Sequence, residues 1–218
     1  MIRSPSIPYI VPFAALLGLL AARPLLALPA LAVESVIASG TALALIVIAR
    51  QVLDFRVRNW AGTVSVGILV FVLWVGPDVL FPGYREHWLF TNSLTGGGSS
   101  GDLSNSGPEF LTVRTLRASL VVPAAEELFW RAWLMRWLIE PEFQKVPLGA
   151  WSARAFWVVA LLFASEHGSF WGVGLLAGAL YNWWMVRTRS LGDLILAHGI
   201  TNLCLSVYTM ATGKWEYW

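Results

Sequence analysis

The chain has 218 residues, 57% hydrophobic and 13% charged, with a formal net charge of +2. Soluble domains carry about 25% charged residues, so this composition, with a mean hydropathy of +0.64, predicts a polytopic helical membrane protein. The lack of a dense Lys/Arg stripe excludes a nucleic-acid partner, and a single cysteine, Cys204, excludes an intrachain disulfide and a cysteine zinc cluster.

A spanning helix needs about 20 mostly apolar residues. The apolar runs, in chain order, are 4–22, 31–49 with Glu34 near its start, 60–77, 118–139, 155–167, 168–186 and 194–213. They predict an all-α transmembrane bundle of about seven to eight helices. The expected layout is a single membrane domain, 1–218, with three spans in 1–80, a loop over 81–111 and a helical core over 112–213. The first run could pass for a signal peptide, with Ala30-Leu31-Ala32 imitating a cleavage site. Arg23 interrupts it and the next span follows at once, which predicts a retained helix. Thr91 to Gly107 is rich in Gly and Ser and predicts a flexible connection, either a mobile lid or a plain spacer. Gly168, Gly172, Gly174 and Gly178 give small-x-x-x-small spacings and predict a close-packed sixth helix. Trp60, Trp88, Trp137, Trp151, Trp215 and Trp218 lie near span ends, as in an interfacial aromatic belt.

Basic residues predict orientation. Arg50, Arg56 and Arg58 follow the second run, Arg136, Lys145 and Arg154 surround the fourth-to-fifth connection, and Arg187 and Arg189 follow the sixth. These three loops are expected on the cytoplasmic side, with the amino terminus, the 78–115 connection and the carboxyl terminus facing out.

Three patterns put acids, bases and an amide inside the apolar runs. They are Glu126-Glu127-x-x-x-Arg131, Phe163-x-x-x-His167 and His198-x-x-x-Asn202. Ionisable groups at bilayer depth are costly, so they usually face a cavity and act there. Residues four apart share a helix face, which pairs Glu127 with Arg131, Phe163 with His167 and His198 with Asn202. Glu126 is turned about 100° from Glu127, so the two carboxylates have different surroundings. Counted at about 1.5 Å per residue from the cytoplasmic ends, Glu126 lies roughly 20 Å deep, His167 roughly 18 Å and His198 roughly 8–15 Å.

If these groups meet, a carboxylate beside an imidazole can take a proton from water and pass it to a leaving amine. A second imidazole and an amide can stabilise the oxyanion. Glu126, His167, His198 and Asn202 supply that set without a cofactor, and peptide-bond hydrolysis is the reaction class it suits. Two histidines and a glutamate could instead hold zinc, although H-E-x-x-H is absent and the ligands would come from three helices. Ser165 and Ser169 lack the G-x-S-x-G setting of a serine nucleophile. Structural readings stand beside these. Glu127 with Arg131 is equally a helix-locking ion pair, Glu166 a solvated residue at the membrane edge, Asp193 a cap of the last helix, and His87 a loop residue beside Trp88.

Taken together, the three patterns resemble the CAAX-processing and bacteriocin-processing (CPBP) family of intramembrane proteases. The resemblance covers roughly Arg114 to Trp218. It implies that Glu126 activates water with help from His167, that His198 and Asn202 form the oxyanion site, and that Glu127 and Arg131 hold the first motif's geometry, with Phe163 completing the second. It implies no metal. Members often have eight helices, against seven runs counted here. A narrower likeness, in EELFWRAWLMRWLIEPEFQKVPLGAWS, FASEHGSFWGVGLLAGALYNWW and TRSLGDLILAHGITN, is to the CAAX-protease-related proteins of bacteria with exosortase sorting systems. It implies a bacterial inner membrane, lipid contact, a membrane-anchored or carboxyl-terminally signalled protein substrate, and a functional link to an exosortase. Competing functions are a non-catalytic scaffold or immunity factor, a zinc-dependent membrane protease, and a proton-relay transporter, which ranks last for want of an inverted repeat.

Overall fold

The computed structural model describes residues 4–92, 103 and 106–217. Among them the chain is all-helical, with seven continuous helices. These are α1 Ile7–Ala22, α2 Ala30–Ala49, α3 Trp60–Leu80, α4 over 108–137, α5 Ala153–Ser165, α6 Trp171–Thr188 and α7 Leu191–Thr212. By length and apolarity, α2, α3, α7 and α1 with its extension to Leu25 can each cross a membrane. The lid reading of 91–107 falls mostly on positions 93–102, 104 and 105, outside the described residues, as does Trp218 of the aromatic belt.

The helix starts follow local chemistry. Pro108 opens α4, where its missing N–H costs nothing. Asn59 caps α3 by accepting Gly62 N–H at 3.0 Å, and Ser152 caps α5 by accepting Ala155 N–H at 3.4 Å. Ser190, not Asp193, caps α7, accepting Asp193 N–H at 3.2 Å. The Asp193 carboxylate serves the entrance of α3 instead. It accepts from Arg58 N (2.7 Å), Asn59 N (3.0 Å) and Thr63 Oγ1 (2.6 Å), because the 50–59 and 188–190 connections lie side by side.

α4 begins well before the apolar run read as 118–139. Its turns widen to π-helical geometry over 117–121 and 128–134. Pro123 cannot donate the helical bond to Ser119 O, which favours a locally altered turn. Glu126 and Glu127 stand between the two wide turns.

α3 packs along α7, α5 along α6, and α1 along α2. α6 also touches α3 and α7, which makes it central. Gly178 on α6 lets α5 approach: a Cβ there would meet Ala160 Cα at 3.2 Å. Gly168 lies outside α6; at φ +52° it opens the short 3-10 turn Gly168–Phe170 that separates α5 from α6. The core gathers Leu16, Ile37, Leu128, Met135, Val159 and Leu194. Leu43, Ile46, Val47, Leu69 and Val72 point outward, as suits a lipid-facing surface.

The start of α1 lies on the side of the basic loops, contrary to the expectation that the amino terminus faces away. Trp133 Nε1 donates to Ser6 Oγ at 3.0 Å, and Tyr9 sits edge-on to Phe143 at 5.2 Å. The reason is parity: the basic loops follow the second, fourth and sixth helices, and an even number of crossings returns the chain to the side on which it began.

Candidate active site

The buried centre of the bundle is an ion-pair relay. Glu127 and Arg131 are fully buried on α4, with Arg131 Nη1 donating to Glu127 Oε1 at 3.1 Å. Arg131 Nε donates to Asn182 Oδ1 on α6 at 2.9 Å, and Asn182 Nδ2 donates to Phe156 O on α5 at 2.7 Å. The guanidinium also lies 4.4 Å over the Phe163 ring. From α7, His198 Nδ1 meets Glu127 Oε1 at 2.8 Å. Four helices are thus tied through one carboxylate and one guanidinium, and this spread of partners offsets the cost of burying both charges.

Beside this relay is a cavity of about 240 Å³. Glu126, His167, His198 and Asn202 all line it, with Phe163. His167 Nδ1 lies 2.7 Å from Phe163 O, and the ring meets Trp74 at 5.1 Å, edge to face. A carbonyl only accepts, so Nδ1 of His167 carries the hydrogen and Nε2 of the neutral ring is an acceptor. His198 faces a carboxylate held by arginine, so its Nδ1 donates too. Tyr181 stacks on His198 at 5.1 Å and donates to Thr201 Oγ1 at 2.7 Å. Asn202 Nδ2 donates to Ala118 O, in the wide turn of α4, at 2.8 Å. Glu126 Oε2 is buried without a protein hydrogen-bond partner among the described residues. An acceptor left so in a polar cavity suits a water molecule.

One wall comes from outside the seven helices. Tyr217, in the turn Trp215–Tyr217, lines the cavity and donates to Asp78 Oδ2 at 2.5 Å. Arg85 pairs with the same carboxylate through Nε, at 2.6 Å, and Nη2, and lies 3.5 Å over the Phe170 ring. Burial and the Asp78 carboxylate push the Tyr217 hydroxyl above its usual range, which keeps it a donor at neutral pH.

Several residues here gave little sign in the sequence. Asn182 and Tyr181 look like packing residues in an apolar helix. Glu34 carried the signal of an acid in an apolar run; it is fully buried and gathers Arg23, Arg114 and Arg117. Glu166 is exposed at the end of α5. Among the described residues, no three His, Cys, Asp or Glu side chains are grouped to hold a metal ion.

Residues 108–204 match the family model described as type II CAAX prenyl endopeptidase Rce1-like. The match opens at the first residue of α4 and takes in all three sequence patterns. Comparison with curated proteins and with solved structures gives no match. Over residues 108–204, the chain is thus similar to the type II CAAX prenyl endopeptidase family.

Proposed function

We propose that the protein is a metal-independent intramembrane endopeptidase that hydrolyses a peptide bond of a membrane-associated protein. The observation that carries this is the meeting of Glu126, His167, His198 and Asn202 around one cavity. Glu126, with an unpartnered carboxylate oxygen, takes a proton from water as the water oxygen attacks the scissile carbonyl. His167, its Nδ1 fixed by Phe163 O, presents Nε2 as a second acceptor for that water. The proton then passes to the leaving amine as the C–N bond breaks. Such proton transfer contributes about 10²–10⁴-fold.

His198 and Asn202 stabilise the oxyanion. With Nδ1 donating to Glu127, His198 can donate from Nε2 only when the ring carries both protons, and the Glu127 carboxylate is the adjacent counter-charge. Asn202 has one amide hydrogen on Ala118 O and a second to offer. The substrate of this reading carries a carboxyl-terminal signal and resides in a bacterial inner membrane, in functional association with an exosortase. Mass spectrometry of membrane-protein carboxyl termini, with and without this protein, tests that assignment.

Glu126→Gln keeps the side chain's size and removes the base. Reconstituted in vesicles, it should cleave at least about 10²-fold more slowly than the parent. A rate equal to the parent's would refute the mechanism, and a rate abolished by a chelator would refute metal independence.

A further inference from the structure

α4 also borders a second space. α2 and α7 pack on it from either side and leave a groove of about 740 Å³ between them. The groove and the first cavity share no lining residue. Its wall is apolar, with Leu45 and Ile46 from α2, Leu120 from α4, and Ile195 and Leu203 from α7. Among the described residues, Arg50 is the one charged side chain that lines it, and its guanidinium has no hydrogen bond or ion pair there.

Arg50 stands at the end of the groove where the 50–59 connection crosses to α3. Phe55 and Trp60 line the same end, and both are largely exposed. The connection is pinned to the start of α7. Ser190 Oγ donates to Arg56 O at 3.0 Å, Asp193 accepts from Arg58 N and Asn59 N, and a Cβ on Gly192 would lie 2.5 Å from Arg56 O. The mouth therefore has a fixed shape, with a cation and two aromatic rings around an apolar interior.

The length of the groove matches one leaflet. It takes in Ala42 to Arg50 along α2 and Gly192 to Leu203 along α7, which is about 12–16 Å at the helical rise. Half of a hydrocarbon core is about 15 Å, the span of a single acyl chain. A chain of that length in the groove brings its headgroup to the level of Arg50. A guanidinium matches a phosphate fork to fork, and basic loops mark the leaflet rich in anionic lipid. A helix of a partner protein would cover the apolar wall but would give the unpaired guanidinium at the rim nothing to bind.

We propose that the groove binds one anionic phospholipid, with an acyl chain between α2 and α7 and the phosphate on Arg50. The site is independent of the hydrolase reading, since it uses none of the residues of the first cavity.

Native mass spectrometry of the delipidated full chain in a neutral detergent tests it. The probes are phosphatidylglycerol, phosphatidylcholine with the same chains, and glycerol phosphate, which has no chains. The parent should take up one phosphatidylglycerol in a discrete step, about tenfold more tightly than phosphatidylcholine, as charge-assisted hydrogen bonds allow. Glycerol phosphate should not bind. Arg50→Gln, at an exposed position, should erase the preference for the anionic lipid. Arg187→Gln removes an equal charge from another exposed position at the same end of the bundle and should leave the preference intact. Ile46→Trp narrows the groove from a side chain outside the core and should cost both lipids affinity. A preference that survives Arg50→Gln, or that falls equally with Arg187→Gln, overturns the proposal. So does graded uptake of many lipids without a single-lipid step, or glycerol phosphate binding as tightly as the phospholipid. A dimer that Ile46→Trp dissolves would make the groove an interface between copies of this chain and would overturn it too.

Discussion

In the proposed mechanism the chemistry depends on which protons the two imidazoles carry, and their partners decide that. His167 has a backbone carbonyl on Nδ1, and His198 has a carboxylate. His198 thus has a carboxylate on Nδ1 where His167 has a carbonyl, which distinguishes the two rings. Glu127→Gln tests this: it keeps the volume and can still bond Arg131, but removes the anion. Turnover should fall by about 10²–10³, the usual loss for one oxyanion donor, while KM changes little; an unchanged turnover would detach Glu127 from catalysis. Much of this was legible beforehand. His167, His198 and Asn202 each stood in an i, i+4 pair, and Glu126 beside another, inside an apolar run, where a polar residue needs a reason. The hydrogen bond from His198 to Glu127 was not legible, because helical spacing relates residues within one helix and says nothing of which carboxylate a second helix will meet. Asn182 was hidden for the same reason, as its partners Arg131 and Phe156 lie on other helices.

Helix contacts set how close these side chains come. α4 and α7 meet where Gly199 abuts the Ser119 carbonyl, and a Cβ on Gly199 would lie 2.5 Å from that oxygen. One helical turn on, Asn202 holds Ala118 O. Gly199→Val should force the helices apart, loosen Asn202 and abolish cleavage, with a stability loss of about 1–3 kcal/mol in thermal unfolding. Gly18 on α1 has nothing within 4 Å of a Cβ, so Gly18→Ala is the control and should leave activity intact. Activity surviving Gly199→Val would show that the contact is not needed for the oxyanion site. The apolar runs located most helices because lipid-facing residues must be apolar. The start of α4 escaped them because Arg114 and Arg117 break the run, and only Glu34, distant in sequence, makes their burial tolerable.

At the scale of the whole molecule, that triad fastens the amino-terminal pair of helices to the family-matched segment. Glu34→Ala would leave Arg23, Arg114 and Arg117 without their common anion, and removing one side of a buried ion pair costs about 3–5 kcal/mol. Thermal unfolding in detergent should show a loss of that order; a change under about 0.5 kcal/mol, typical of a surface site, would contradict the anchoring role. The clasp of Asp78 with Arg85 and Tyr217 has a different consequence. It makes part of the cavity's boundary from a short stitched turn rather than from a membrane helix. Such a boundary can control traffic independently of bond cleavage. Asp78→Asn weakens the stitch without touching the reacting groups, so it should accelerate the arrival and departure of bulky peptides in stopped-flow binding while the single-turnover rate stays constant. The molecule would then tune the size of what it admits separately from the speed at which it cuts.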